Sequence, residues 1–301
     1  MTNTLANLQN DPNMKPLFMW AGGKSKMLKH YAAFMPKTFD TYIEPFFGGG
    51  AMFLTANKIN PNANIVINDV NEFITDIYKS IKEDSSTFLT KLDDLSDAYL
   101  VLNKEDRKKF YYLLRNEYAY DYQKWNKTEE AAVLYFLMKT GFNGIWQINK
   151  NTNNRFGTPC GLLNQQKTVY DKENVLAWSS MLQNATILNG DYKQTGDYVT
   201  KNTWLFLDPP YRGGFTKYAT DFNDQQQKEV VDFAYNSHCK GAESWLTNRD
   251  LDDNFFEDHI SANNYDMQVQ KFDVTYTAGR RKQTENGFEA KKAREYLIIK
   301  K

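Results

Sequence analysis

Seven stretches of strand-forming pattern recur along the chain, near residues 41–46, 64–68, 185–189, 203–207, 243–247, 266–275 and 295–299. Helical patterns separate most of the earlier ones, and that alternation predicts a mostly parallel sheet with helices on both faces. A parallel pair needs a long crossover, which a helix supplies. No convincing helix separates the last two stretches, so the pattern ends in an antiparallel hairpin at one edge. With 301 residues the chain can form one large or two modest domains around a sizeable core.

The residues that follow three of these patterns are chemically unusual. The apolar run Thr203-Trp204-Leu205-Phe206-Leu207 stops at Asp208-Pro209-Pro210-Tyr211. A carboxylate, two rigid prolines and an aromatic at a strand end form a slot for a flat amino-bearing ring. Asp208 can accept from an exocyclic amino group, the prolines hold the local carbonyls for a second N–H, and Tyr211 can cover the ring face. A plain surface turn uses the same residue types. Upstream, Tyr42-Ile43-Glu44-Pro45-Phe46-Phe47-Gly48-Gly49-Gly50-Ala51 runs from a strand pattern into three glycines and a helix start. Such glycines let a ligand approach the backbone and leave N-terminal N–H groups open. Phe53 stands where a G-x-G-x-x-G motif has its third glycine, which argues against a dinucleotide pyrophosphate site. The strand pattern Asn64-Ile65-Val66-Ile67-Asn68 ends at Asp69, 21 residues after Gly48, a spacing that suits an acid binding ribose hydroxyls. Near the N-terminus, Met19-Trp20-Ala21-Gly22-Gly23-Lys24-Ser25-Lys26 offers a stacking surface, pliant backbone and one movable cation, suited to an adenosine with a carboxylate-bearing tail. It lacks P-loop spacing. A solvated Lys beside a core Trp is the ordinary alternative.

Taken in order, Trp20-Ala21-Gly22-Gly23-Lys24, Glu44-Pro45-Phe46-Phe47-Gly48-Gly49-Gly50, Asn68-Asp69-Val70-Asn71 and Asp208-Pro209-Pro210-Tyr211 resemble the motifs of the Dam-like family of N6-adenine DNA methyltransferases. This is the D12 class, or alpha group, in which the target-recognition segment lies between the cofactor half and the catalytic half. Thr140-Gly141-Phe142-Asn143-Gly144-Ile145 and Phe156-Gly157-Thr158-Pro159-Cys160-Gly161 resemble the family's DNA-reading hairpin. The similarity runs from about Lys15 to the C-terminus.

The resemblance implies a Rossmann-like seven-stranded α/β catalytic domain with an inserted, mainly helical DNA-recognition subdomain carrying a hairpin. Residues 1–75 would be the cofactor-binding part, 76–170 the target-recognition subdomain and 171–301 the catalytic part of the same α/β domain. The implied cofactor is S-adenosylmethionine, leaving as S-adenosylhomocysteine, with no metal. Its site would draw on Trp20, Ala21, Gly22, Gly23, Lys24, Glu44 to Gly50, Asp69 and Asp208, and catalysis on Asp208, Pro209, Pro210 and Tyr211. The implied partner is double-stranded DNA, met by Phe142, Asn143, Gly144, Ile145, Gln147, Asn149, Arg155, Phe156, Pro159, Arg280, Arg281 and Lys282. Adenine in a duplex must be flipped out to be methylated on N6, at a cost of a few kcal/mol. Stacking on Tyr211 is worth roughly 1–3 kcal/mol and offsets much of that.

Two positions depart from the family. Gln147 stands where many relatives place an Arg that reads a guanine edge. Gln has one donor and one acceptor and matches adenine N6 and N7 instead, so the GATC specificity common in the family is not carried over. Met19 replaces a Lys that many members have beside the Trp, removing one expected DNA contact.

Between residues 76 and 170 the composition shifts. Phe110, Leu113, Leu114, Glu117, Tyr118, then Ala132, Leu134, Tyr135 and Met138, follow helical spacing and predict a small helical core. Gly141 to Gly161 is rich in Asn and Gly, with Phe142, Trp146 and Phe156 interleaved, and reads as a hairpin with adaptable polar side chains. The first dozen residues read as a disordered tail.

Lys plus Arg and Asp plus Glu each number 37, so net charge is zero and a uniformly basic DNA-coating protein is excluded. Any nucleic-acid surface must be local. Lys104, Arg107, Lys108 and Lys109, then Arg280 to Lys282, then Lys291, Lys292 and Arg294, are candidates, each equally readable as a solvated face. Cys160 and Cys239 are the only cysteines, with no C-x-x-C, which fits a reducing compartment and argues against a zinc knuckle. His30, His238 and His259 lack metal-ligand spacing. With no signal-peptide pattern and no membrane-length apolar run, a monomer in the cytoplasm, or in a host's cytoplasm for a virus-encoded chain, is expected. Alternatives left open are a catalytically silent DNA-binding protein on the same fold and a methyltransferase for RNA or a protein glutamine amide. A nicotinamide oxidoreductase fails at Phe53.

Overall fold

The computed structural model describes residues 14–20, 22–161, 167–213, 222–276, 282–284, 287–289 and 291–300. The expected tail, Ala21, Arg280 and Arg281 lie outside the described residues. In chain order the elements are α1 (Leu28–Tyr31), β1 (Thr41–Glu44), α2 (Ala51–Ile59), β2 (Asn64–Asp69), α3 (Glu72–Glu83), α4 (Ser85–Leu100), α5 (Lys104–Tyr120) and α6 (Lys127–Thr140). There follow β3 (Ile148–Asn149), β4 (Arg155–Phe156), α7 (Lys172–Leu182), β5 (Ala185–Asn189), β6 (Thr203–Leu207), α8 (Asp224–Cys239), β7 (Glu243–Asp250) and α9 (Phe255–Ala262). The chain continues through β8 (Met267–Tyr276), β9 (Lys282–Thr284), β10 (Gly287–Glu289) and β11 (Lys291–Lys300).

Each of the seven sequence patterns is a strand of one sheet, ordered β5-β2-β1-β6-β7-β11-β8. β1 pairs in parallel with β2 and β6, and β6 with β7. β11 is antiparallel to both β7 and β8. From β1 the connection runs outward to β2, and from β6 it runs the other way to β7, so β1 and β6 flank a topological switch point. Ligands of open α/β sheets bind outside the carboxyl ends of strands at such a point. The small pairs β3–β4 and β9–β10 add two short ribbons.

Contacts divide the chain into two compact units. The first comprises residues 30–47, 62–68 and 191–301. In it β1 and β6 are buried along their whole length, as central parallel strands covered on both faces are. Trp204 of β6 packs 5.2–5.3 Å from Phe39, Tyr42 and Trp245, ring centre to ring centre. These three contacts fix the sheet beneath the strand ends that carry Glu44 and Asp208.

The second unit comprises residues 1–29, 48–61 and 69–190. Its centre is α6, buried on every side from Ala131 to Met138, as a helix apolar all round must be. The capping box Asn126/Glu129 starts it. Tyr99 meets Phe136 and Phe88 meets Tyr135 edge to face. The helical aromatic stripe is therefore core: Leu114, Tyr118, Ala132, Leu134, Tyr135 and Met138 are buried, while Leu113 is exposed. Among the described residues no helix is long and apolar enough to cross a membrane.

Candidate active site and hairpin

In the first unit, the chain leaves β6 at Leu207 and three of the next four residues are fastened from neighbouring elements. Thr247 of β7 donates its hydroxyl to Asp208 Oδ1 at 2.7 Å. Gln227 of α8 donates Nε2 to the Pro210 carbonyl at 2.7 Å. The Tyr211 hydroxyl donates to Glu295 Oε2 at 2.9 Å. Burial, reinforced by the carboxylates of Asp208 and Glu295, pushes the Tyr211 phenol well above its ordinary value, so it stays a donor. At the end of β1, Glu44 is buried and accepts from the Tyr42 hydroxyl at 2.7 Å. Burial and then Glu44 raise the Tyr42 phenol in the same way. Asn68 donates to the Pro45 carbonyl, and the Phe47 N–H bonds the Asn68 carbonyl, which sets the turn from Glu44 to Phe47. Phe46 packs on Tyr192, ring centres 5.0 Å apart. Thr247, Gln227, Asn248 and Glu295 escaped the sequence reading. The one available signal was Glu295 itself, a lone acid leading into the apolar run Tyr296-Leu297-Ile298.

In the second unit, the 21-residue spacing becomes a direct bond: Asp69 Oδ2 accepts the Gly48 N–H at 2.8 Å, and Oδ1 accepts the Asn71 N–H at 2.9 Å. Burial raises the Asp69 carboxyl and these two N–H groups pull it back in part. Each carboxylate oxygen retains acceptor capacity after one such bond, so Asp69 fits the role of holding a vicinal diol. The glycines serve a second purpose. A Cβ on Gly48, whose φ is +48°, would stand 2.6 Å from the Trp20 indole, and one on Gly49 would stand 3.0 Å from the Trp20 Cβ. Only glycine lets Trp20 lie against this turn. Lys24 is buried and donates Nζ to the Gly22 carbonyl at 2.6 Å, while the Gly23 N–H closes onto the Trp20 carbonyl. Trp20, Gly22, Gly23, Lys24, Gly48, Gly49 and Asp69 thus form one locally braced group.

The hairpin belongs to this second unit. Gly141 bridges Cys160, the Phe142 N–H bonds the Pro159 carbonyl, and Ile148 and Asn149 pair with Phe156 and Arg155. Its Asn residues shape the turn: Asn153 and Asn154 have φ of 52° and 55°, and Asn149 Oδ1 accepts the Asn151 N–H. Phe142, Asn143, Ile145, Gln147 and Pro159 are exposed. Gly144 stands beside Met19, itself 62% exposed. Arg155 and Phe156 face inward. The Arg155 guanidinium pairs with Glu130 and lies 4.0, 4.3 and 5.0 Å from the ring centres of Tyr122, Tyr118 and Phe73. Of the basic candidates on α5, Arg107 caps the Leu100 and Leu102 carbonyls and Lys109 pairs with Asp106, and Lys104, Lys108 and Lys109 are all exposed. Arg294 pairs with Asp250, and Lys282 lies in β9. Among the described residues no cluster of His, Cys, Asp and Glu could hold a metal.

A seven-stranded sheet with an acid and two prolines at its switch point is the architecture of a Rossmann-like methyltransferase. The family model of the D12 class N6 adenine-specific DNA methyltransferase matches residues 20–275. The Type II methyltransferase M.MjaIII of Methanocaldococcus jannaschii is 32% identical over 246 residues, covering 78% of this chain and 84% of that protein. M1.LlaDCHI, a Type II methyltransferase of Lactococcus lactis subsp. cremoris, is 27% identical over 282 residues, 90% of this chain and 92% of its own. The DNA adenine methylase of Haemophilus influenzae is 26% identical over 227 residues, 73% and 74% respectively. The chain belongs to the family of D12 class N6 adenine-specific DNA methyltransferases.

Proposed function

We propose that the protein methylates N6 of an adenine flipped out of duplex DNA, using S-adenosylmethionine. The observation that carries this reading is Asp208, held by Thr247 at the carboxyl end of β6 beside the sheet's switch point. A carboxylate oxygen accepts more than one hydrogen bond, so the Thr247 contact does not exhaust Asp208. Asp208 and the Pro209 carbonyl accept the two N6–H bonds and draw them out of the ring plane. The lone pair, otherwise conjugated into the ring, becomes localised and nucleophilic, a positioning and electrostatic effect. N6 would gain the bond to the methyl carbon as the methyl–sulfur bond breaks with its electron pair left on sulfur, and the surplus N6 proton would pass to solvent. Tyr211 covers the face of the flipped base. S-adenosylmethionine supplies an electrophilic sulfonium methyl group when bound. Asp69 would hold its ribose hydroxyls, and Trp20, Gly22, Gly23 and Lys24 would meet the adenosine and its carboxylate-bearing tail. The Phe46 to Gly50 backbone is assigned to the methionine side on the family motif.

The stretch 76–170 acts in this reading as the target-recognition subdomain, with Phe142, Asn143, Ile145 and Gln147 as the hairpin's exposed DNA-facing residues. Duplex DNA, a matched RNA and bulk protein, each incubated with the enzyme and methyl-labelled S-adenosylmethionine, provide the test. Label must appear in the DNA as N6-methyladenine. Asp208→Ala should abolish transfer while binding of S-adenosylhomocysteine persists. Wild-type turnover in that variant, or label confined to RNA or protein, would sink the reading.

A further inference from the structure

Two buried amides close a ring of hydrogen bonds around the backbone of Tyr211. Gln227 and Asn248 are both fully buried. Gln227 Nε2 donates to the Pro210 carbonyl at 2.7 Å, Asn248 Nδ2 donates to Gln227 Oε1 at 2.9 Å, and the Arg212 N–H donates to Asn248 Oδ1 at 3.1 Å. The circuit therefore begins on the carbonyl before Tyr211 and ends on the N–H after it. Its direction is forced, because turning either amide over would set oxygen against oxygen at Pro210 or donor against donor at Arg212.

The surroundings stiffen each member. Gln227 lies in the first turn of α8, whose start is locked by the reciprocal capping box of Asn223 and Gln226. Asn248 is in β7 and also accepts the Arg249 N–H at 2.9 Å. Beyond Tyr211, the Arg212 guanidinium pairs with Asp224 and Asp253 and lies 3.7 Å from the Phe255 ring centre. An apolar pair would fill the space of Gln227 and Asn248 with less desolvation. It could not hold a carbonyl and an N–H at a fixed span.

We infer that Gln227 and Asn248 are positioning residues: together they set the backbone of Pro210 to Arg212, and through it the aim of the Tyr211 ring. This rests on the reading of Asp208 to Tyr211 as the slot for the target base. Gln227 touches no reacting atom, so its effect falls on the rate of transfer and not on affinity for DNA or nucleoside. A misplacement of about 1 Å remote from the chemistry can cost a hundredfold in rate.

Three variants and two readouts test the inference. Gln227→Met keeps the length and loses both polar ends; it should lower kcat roughly tenfold to a hundredfold with KM for DNA and affinity for S-adenosylhomocysteine little changed. Gln227→Glu turns an acceptor toward the Pro210 carbonyl when ionised and a donor when protonated. Burial raises such a carboxyl, so its kcat relative to wild type should recover as pH falls from about 8 to about 6. Hydrogen exchange of the Arg212 amide should quicken in Gln227→Met and in Asn248→Ala, a measurement independent of activity. A pH-independent ratio for Gln227→Glu, or unchanged Arg212 exchange in the other two variants, overturns the inference. Faster Arg212 exchange in a protein whose wild type leaves DNA unmethylated would uphold the clamp and remove the methyl-transfer reading of the slot.

Discussion

The Tyr211 hydroxyl reaches Glu295 Oε2, 84 residues further along the chain, across 2.9 Å. The bond sets the ring from its far edge, and burial keeps the phenol protonated. Tyr211→Phe should therefore retain methyl transfer and lose about 0.5–1.5 kcal/mol of stability, the usual net worth of one hydrogen bond. Tyr211→Ala should lose most of the activity, because it removes the stacking surface. Single-turnover rates and thermal unfolding of the two variants separate these effects, and equal rates in both would show that the ring does not cover the base.

In the proposed reading, the raised carboxyl of Asp69 should give cofactor binding a pH dependence. Its raised carboxyl means that the folded protein holds the proton more tightly than the unfolded chain, whose Asp titrates near about 3.9. Stability thus falls as pH rises from the unfolded value to the folded one, then levels off. Acceptance of ribose hydroxyls needs the carboxylate, so affinity for S-adenosylhomocysteine should weaken as pH falls through the folded value, earlier than an exposed Asp would dictate. Asp69→Asn should bind about 10- to 100-fold more weakly, the worth of a charged hydrogen bond, and lose this pH dependence. Calorimetry across the acid range reads both, and parent-like affinity in the variant would show that Asp69 is not the ribose ligand.

Arg155→Ala should act on stability before specificity. The guanidinium is enclosed by Tyr118, Tyr122 and Phe73 and pairs with Glu130, which is itself mostly buried. Removing one partner of a buried pair costs about 3–5 kcal/mol. Denaturant unfolding should show a loss of that order. An unchanged midpoint with an altered methylation motif would assign Arg155 to DNA.

Gln147 is exposed, and its carbonyl is tied to the Gly157 N–H at 2.7 Å, which fixes where the side chain leaves the hairpin. Gln147→Arg should shift the methylated motif toward guanine at one position by roughly 1–3 kcal/mol, the value of one good bidentate pair. Mapping N6-methyladenine in DNA from cells expressing parent and variant measures it; identical motifs would exclude Gln147 as the reader.

Periodicity made the sheet legible, because short strand-forming runs such as Trp204 to Leu207 of β6 alternate with helical patterns and end in breaks such as Asp208-Pro209-Pro210. The Gly48 to Asp69 spacing was legible for a similar reason: one strand, one helix and a second strand bring the two to the same sheet end, where they bond directly. Arg155 was not legible. Grouped with the hairpin by position, it is enclosed by rings from Phe73, Tyr118 and Tyr122, and no spacing announces that convergence. The hairpin's Asn residues suggested adaptable base contacts, yet Asn149, Asn153 and Asn154 carry the turn. Gln227 and Asn248 were invisible as a pair, since a helix start and a strand 21 residues later give no signal that their amides meet.

β11 is made after both β7 and β8 and yet it lies between them in the sheet. Spatial order and order of synthesis are therefore at odds. A ribosome that has delivered Asp208 to Tyr211, Gln227 and Asn248 has still not delivered the strand that brings Glu295 to Tyr211. Polypeptides cut short before Glu295 should therefore bear every motif of the family and still lack the strand that joins β7 to β8.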